Sequence, residues 1–594
     1  MSSESVSGPP STKTSDEAMP GPSGIKRRKV EVKNPQALTD EELARFFELS
    51  DTSEDDGSSE EEHDWYNISS DEGDLQSNVQ DPFAELADPT KPADPDDSAQ
   101  VLDVTWSDAP LKHRKNLFFT GHTALKIQPN GNTPADFFNL LVTDELYNDI
   151  LQQTNAYAEE VFLSSSGYEK ARITQWKPLT KEEFRVFLGL FFHMGTIHIN
   201  RLQDYWRTHH LFNLVCFSQR MSRNRFLLIL RCLHLAKNPL PDKTAPLDKL
   251  HKIRPIVDYF NKRMFEVYSP SRELSIDESL LAWRGRLGFR QYLPGKAHKY
   301  GIKTYVLAEP NGLTLKLLVY SGAKDITGGV GHASKVVLQL MREHFDKGHS
   351  LFMDNFYNSH SLVQKLLERA TYCTGTLRAN RKNNCRDVVN TKLKPGDVIA
   401  KCDELNGIIM GKWRDKREVT FISTEYSATL QETQNRRGQK KMKPEAIIYY
   451  NKFMSGVEHK DQMLAYNACD RKTIRWYKKL GLHTLQILLL NAWYLYNKYS
   501  GLRANFYDFR LNIIENLVGG TKQEKPKKAV PEGVHLPASL PKAEATKGRV
   551  QRKDCKVCYQ NKIRKQTNFY CPKCKDKPGL CLEPCFRIFH GYDK

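Results

Sequence analysis

In the stretch SGVEHKDQM, Glu458 and Asp461 stand three residues apart, a spacing that puts both side chains on one face of a helix. Two aspartates elsewhere sit in strand-like apolar settings: Asp277 in LSIDESLL and Asp354 at the end of LFMDNF. An ionised carboxylate among such neighbours is costly unless it is paired or holds a cation. Carboxylates converging from separate elements make a hard oxygen site suited to Mg²⁺ or Mn²⁺. Two such ions, about 3.5–4 Å apart, activate water or a 3′-hydroxyl and stabilise the leaving oxygen of a phosphodiester. For a single aspartate a strand cap is the better reading, so the metal reading depends on the elements that would gather the carboxylates.

A second chemistry lies in the tail. Six of the twelve cysteines fall in the last forty residues. Cys555-x₂-Cys558, Cys571-x₂-Cys574, Cys581, Cys585 and His590 have the types and spacing of zinc ligands, not of a secreted disulfide framework.

Two basic sets accompany the acids. RGRLGFRQYLPGKAHKYGIK follows the Asp277 strand and offers Arg284, Arg286, Arg290, Lys296 and Lys299 to phosphates, with Phe289 and Tyr292 to stack on unpaired bases. Asn355, next to Asp354, joins that set. DRKTIRWYKK offers Arg471, Lys472, Arg475, Lys478 and Lys479 at a helix start. Net charge is +17 over 594 residues, but it is segregated. Between Asp40 and Asp108 stand 23 acidic residues against Arg45 and Lys91, so the remainder is strongly basic and suits a polyanion. Lys26, Arg27, Arg28 and Lys29 form a candidate nuclear address in a Pro/Ser/Gly-rich segment. The chain starts with a polar stretch rather than a leader, and LQILLLNAWYLY is too short to span a bilayer. A soluble intracellular protein with no membrane partner is expected. GIIMGKW lacks the Ser/Thr and spacing of a phosphate loop.

The elements that must position these residues follow from hydrophobic period. Residues 1–114 are poor in apolar side chains and are expected to be a disordered acidic region. Residues 115–270 carry apolar positions at three and four spacing, a helical block with Thr133 and Thr143 as candidate N-caps. From 271 to 378 the pattern changes to three antiparallel strands, helix, strand, helix, strand, the order of a ribonuclease-H-like core. Residues 379–440 read as a β-rich insertion domain, 441–462 as the end of the core, and 463–520 as returning helices. A Lys/Pro-rich linker, 521–550, leads to the cysteine-rich unit, 551–594. The fold class expected is thus multidomain α/β.

LSIDESLLAWRGRLGFRQYLPGKAHKYGIK, LFMDNFYNS, SGVEHKDQM and RKTIRWYKK, with MSRNRFLLILRCLHL before them, resemble successive signatures of piggyBac-type transposases over about residues 115–594. The resemblance implies a cut-and-paste DNA transposase with divalent-metal catalysis, acting as a homodimer on transposon ends, integrating at TTAA and working in the nucleus. It places the family's catalytic aspartates on Asp277 and Asp354. Its third lies in a GGVD pattern that here reads SGVE, so Glu458 takes that place, and a further aspartate falls on Asp461. A domesticated copy that binds DNA or chromatin and cuts poorly is the alternative. The resemblance also implies a cross-braced tail holding two Zn²⁺ ions and reading terminal DNA repeats. Cys555, Cys558, Cys581 and Cys585 would form one site. Cys571, Cys574 and His590 would form the other, with Asp593 or a water as the eighth ligand.

Overall fold

The computed structural model describes residues 104–108, 116–164, 172–238, 248–519, 535–541 and 551–592, apart from 295, 297, 323–324, 326, 435–437, 439 and 472–474. The run Lys26–Lys29 and nearly all of the acidic segment lie outside the described residues.

Helices come first, and their caps explain where they start. Helix α1 (Pro134–Leu141) opens on Thr133, whose hydroxyl accepts from the Asp136 N–H while Asp136 returns the bond, with proline in the first turn. Helices α2 (Asp144–Ser164), α3 (Lys181–His193), α4 (Arg223–Cys232) and α5 (Arg254–Val267) complete the block expected from the sequence. Two later helices, α10 (Trp476–Tyr499) and α11 (Phe506–Val518), pack into the same core: Phe137 of α1 meets Tyr496 edge-on at 5.5 Å. Arg510 of α11 is buried and donates to the carbonyls of Asn467 and Phe192, tying the returning helices to the end of α3.

The sheet follows. Strand β1 (Trp106–Ser107) is its first edge. Strands β2 (Glu273–Ala282), β3 (Gln291–Tyr292), β4 (Tyr300–Ala308) and β5 (Thr314–Val319) are antiparallel neighbours. Helix α6 (His332–Met341) leads to β6 (Ser350–Met353), and α7 (His360–Glu368) leads to β7 (Tyr372–Thr376). β2, β6 and β7 run parallel, so the strand order read from the sequence is present.

The 379–440 segment differs from expectation. Its strands β8 (Val398–Asp403), β9 (Ile409–Arg414) and β10 (Glu418–Ser423) do not form a sheet of their own. β10 pairs antiparallel with β7 and extends one ten-stranded sheet in the order β1-β8-β9-β10-β7-β6-β2-β4-β3, with β5 on β4. The physical reason is the exposed edge that β7 would otherwise present. Only the hairpin Leu430–Gln434 with Lys440–Pro444 stands apart. AIIYYN lies in helix α8 (Glu445–Phe453), followed by α9 (Gly456–Tyr466).

Asn491, the polar break in the apolar run of α10, is fully buried. Its side chain accepts from Thr314 N–H at 3.0 Å and donates to Thr314 C=O at 2.7 Å, so it completes the free edge of β5. Asn491→Leu leaves both backbone groups unpaired and is expected to cost roughly 2–5 kcal/mol in urea denaturation.

Candidate functional site

Ile276 pairs with Met353 in the parallel register, so the next residues along, Asp277 and Asp354, emerge side by side at the ends of β2 and β6. Burial raises the Asp277 pKa to about 7, helped by Glu278 and Asp354 and opposed by Lys296. Burial and Glu278 raise Asp354 as well. Each carboxylate accepts one local backbone bond: Asp277 from Glu278 N–H at 2.8 Å, Asp354 from Phe356 N–H at 2.9 Å.

Helix α9 brings the third carboxylate. It lies flush on the face of β2 that carries Ser275, Asp277 and Ser279. A Cβ on Gly456 would stand 2.3 Å from the Glu309 carbonyl and 2.7 Å from Ser275 Oγ, which explains a glycine at the helix start. Glu458 is exposed in the first turn. Tyr450 of α8 stands among all three acids. Burial raises its pKa to about 12, Thr376 opposes, and Asp354, Asp277 and Glu458 add to the rise. The three are not gathered within 4.8 Å of one another. As a donor set they are hard oxygens from three elements, which fits a divalent ion.

Asp461 has a different setting. Ser279 donates to it at 2.7 Å, and the buried Lys460 ammonium lies 2.7 Å away. Burial alone would raise its pKa, but Lys460, Ser279 and His483 hold it below the ordinary value. Asp461 thus fastens α9 to β2 while Glu458, one turn earlier, stays free.

The basic residues divide. Arg284, Arg286, Arg290, Lys299 and Asn355 are exposed, and Arg290 stacks over Tyr300 at 5.0 Å. Lys296 donates to Glu278 C=O at 3.0 Å. Phe289 is buried edge-on to Trp476 at 5.2 Å, so it is not available to bases as the sequence suggested, whereas Tyr292 is exposed. The second set largely turns inward. Arg471 donates to Ile199 C=O at 2.7 Å. Lys478 is buried and donates to the Leu230 and Arg231 carbonyls, and Lys479, also buried, to Ala282 C=O at 2.8 Å. The last carbonyls of α4 lack helical partners, and Lys478 supplies them, at the expense of a pKa lowered to about 7 by its burial. Arg475 is half-exposed at the start of α10, and Lys472 lies outside the described residues.

The tail gathers eight ligands in two clusters. Cys555, Cys558, Cys581 and Cys585 have their sulfurs within 4.8 Å of one another, as expected. Cys571, Cys574 and His590 are joined by His535, whose Nδ1 is 3.3 Å from each sulfur. His535 falls in the 521–550 stretch that reads as a linker from sequence, and Asp593 lies outside the described residues. Phe586 C=O accepts from His590 Nδ1 at 2.8 Å, which leaves Nε2 for a metal. Strand Ala538–Ser539 pairs with Phe569–Tyr570, so residues 535–541 belong to this unit. Each cluster offers four Cys and His ligands, the donor set that suits a structural zinc ion. The signal was present: His535 and His590 are the only histidines after Thr521.

His535→Ala is expected to lower bound zinc from two ions to one per chain by elemental analysis after dialysis, and Cys558→Ser to unfold the whole tail. At the carboxylates the sign runs with pH. Asp277 holds its proton to about pH 7 when folded but to about 3.8 when unfolded, so it removes stability as pH rises through that window. Asp277→Asn is therefore expected to raise the Tm of metal-free protein at pH 8 and to give no gain below pH 4. Mn²⁺ affinity of the unaltered chain, measured calorimetrically, should rise between pH 6 and 8 as Asp277 ionises.

Residues 133–493 match the family model described as transposase IS4, and residues 539–591 match a DDE transposase-like zinc finger. Human PiggyBac transposable element-derived protein 3 is 28% identical over 464 residues, 74% of each chain. Human PiggyBac transposable element-derived protein 2 is 26% identical over 385 residues, 61% of each chain. The cryo-EM structure of a piggyBac transposase synaptic complex with hairpin DNA shares the fold, with a TM-score of 0.58, 24% identity, and coverage of 77% of this chain and 96% of that one. A matched family model over most of the chain, carrying Asp277, Asp354 and Glu458 on the elements described above, shows that this chain belongs to the piggyBac-type transposases.

Proposed function

We propose that this protein is a cut-and-paste DNA transposase that cleaves transposon ends and joins them at TTAA, working as a homodimer in the nucleus. The observation that supports this best is the parallel register that sets Asp277 and Asp354 side by side at the ends of two strands, with Glu458 carried in the first turn of helix α9. Within that ribonuclease-H-like core, the three carboxylates hold Mg²⁺ or Mn²⁺, and the metal supplies Lewis acidity and an activated nucleophile at the phosphodiester. Asp277, Asp354 and Glu458 fix where that charge sits. Asp461 keeps α9 in register through Ser279 and Lys460. Arg284, Arg286, Arg290 and Lys299, exposed beyond the Asp277 strand, neutralise flanking phosphates. The tail holds two Zn²⁺ ions and reads the terminal repeats.

A second reading is a domesticated protein that binds DNA and cuts poorly. One observation favours it: Glu458 replaces the aspartate of the motif, and displacement by about 1 Å can lower a rate on the order of a hundredfold.

Cleavage of duplexes carrying the terminal sequences that flank the gene, bordered by TTAA, separates the two. The unaltered chain is expected to cut with Mg²⁺, and Asp354→Ala and Glu458→Ala to lose roughly a hundredfold or more. Cutting that survives both changes removes the proposed metal site. A chain that binds the duplex, does not cut it, and gains cutting with Glu458→Asp establishes the second reading.

A further inference from the structure

On the opposite face of the sheet from α9 lies a cation that the metal-site reading does not use. Lys303 of β4 pairs with Leu280 and therefore shares a face with Glu278 and Tyr305, not with Asp277. It is buried. Its ammonium stands 4.8 Å from the Tyr305 ring centre and 4.6 Å from that of Phe356. Phe356 belongs to the turn that starts at Asp354. The next residue, Tyr357, is buried edge-on to Phe356 at 5.0 Å, and its hydroxyl donates to Glu278 at 3.4 Å. Burial lowers the Lys303 pKa, while Glu278, Asp354 and Asp277, in that order, raise it, in keeping with its place on the Glu278 face and over the Phe356 ring.

Three carboxylates in a low-dielectric setting repel one another unless a cation stands among them. Lys303 is tethered on the face that carries Glu278, against the turn that follows Asp354, and two aromatic faces replace part of the water it loses.

We propose that Lys303 is a positioning residue of this site: a built-in counter-cation that holds Asp277, Glu278 and Asp354 together when no divalent ion is bound, and pins the Asp354 turn through Phe356. The inference rests on the metal-binding reading given above. A divalent ion and the ammonium then both act on Asp277 and Asp354, and each offsets the loss of the other.

Thermal unfolding of the full chain, in EDTA and in saturating MnCl₂, tests this. Lys303→Met keeps the stem and removes the charge. It is expected to melt below the unaltered chain in EDTA, and to gain roughly twice or more the Mn²⁺-induced rise in Tm, closing most of the gap. Lys303→Arg should respond like the unaltered chain. Asp354→Asn combined with Lys303→Met should regain stability in EDTA and lose the Mn²⁺ response. A Lys303→Met deficit that Mn²⁺ leaves untouched, or equal Mn²⁺ shifts in both chains, shows that Lys303 only packs and overturns the proposal. Should Lys303→Met fail to fold, Lys303→Met with Asp277→Asn decides: refolding supports a fault of charge, and continued failure a fault of packing. Because the readout is not cleavage, a chain that takes up Mn²⁺ but cuts no DNA removes the transposase reading and leaves this one standing.

Discussion

Two half-buried carboxylates at the ends of adjacent parallel strands are the constraint around which the rest of this structure is arranged. The register that pairs Ile276 with Met353 sets Asp277 and Asp354 together, and neither of those two strands relieves their repulsion. Relief comes from outside the strands. Lys296 leans on the Glu278 carbonyl, Lys303 stands behind Glu278, and Arg378 lies over Phe356 at 5.8 Å. The turn after β6 bends Asp354 onto its own backbone through the Phe356 N–H. Each device lowers the cost of holding charge in place without consuming the carboxylates, and that is what a cation site needs between loadings.

Much of this was legible in the sequence, and what was not has a common cause. Asp277 and Asp354 could be set at strand ends because alternation fixes which face a residue occupies, whereas spacing alone left Glu458 and Asp461 equal and the family resemblance separated them. Strand order followed from the change of period near Pro270. The extension of the sheet by β8, β9 and β10 was not legible, because short strands with charged turns read alike whether they pair with one another or with a core edge. The lysines after Asp470 misled for a related reason. Sequence shows charge but not which backbone carbonyls lie unpaired nearby, and Lys478 and Lys479 answer to the ends of α4 and β2. His535 was missed because ligand spacing was sought inside the cysteine cluster, whereas the eighth ligand enters from the segment before it.

The tail shows the same economy in another chemistry. In chain order its ligands run His535, the Cys555 and Cys558 pair, the Cys571 and Cys574 pair, the Cys581 and Cys585 pair, then His590. The clusters take alternate members of that series, so the chain crosses between them and neither is a local knuckle. The unit has a core of only a few apolar side chains, chiefly Val557, Leu580 and Phe586. A core that small does not offset the conformational entropy of some forty residues, and zinc held at the two clusters would supply the folding energy. The cross-brace makes that energy common to the whole unit.

The packing of helix α9 bears on Glu458, the proposed third ligand. Gly456 already touches Glu309 and Ser275, so α9 cannot advance toward the strands. Retreat would break the bond from Ser279 to Asp461 and the Lys460 pair beside it. The backbone is therefore fixed in both directions, and the extra methylene of Glu458 has to be absorbed by its own rotamers. Glu458 is exposed and has three rotatable side-chain bonds, which gives it that freedom. Its reach is then set by side-chain torsion at small cost, while the aspartate one turn on carries the positional duty.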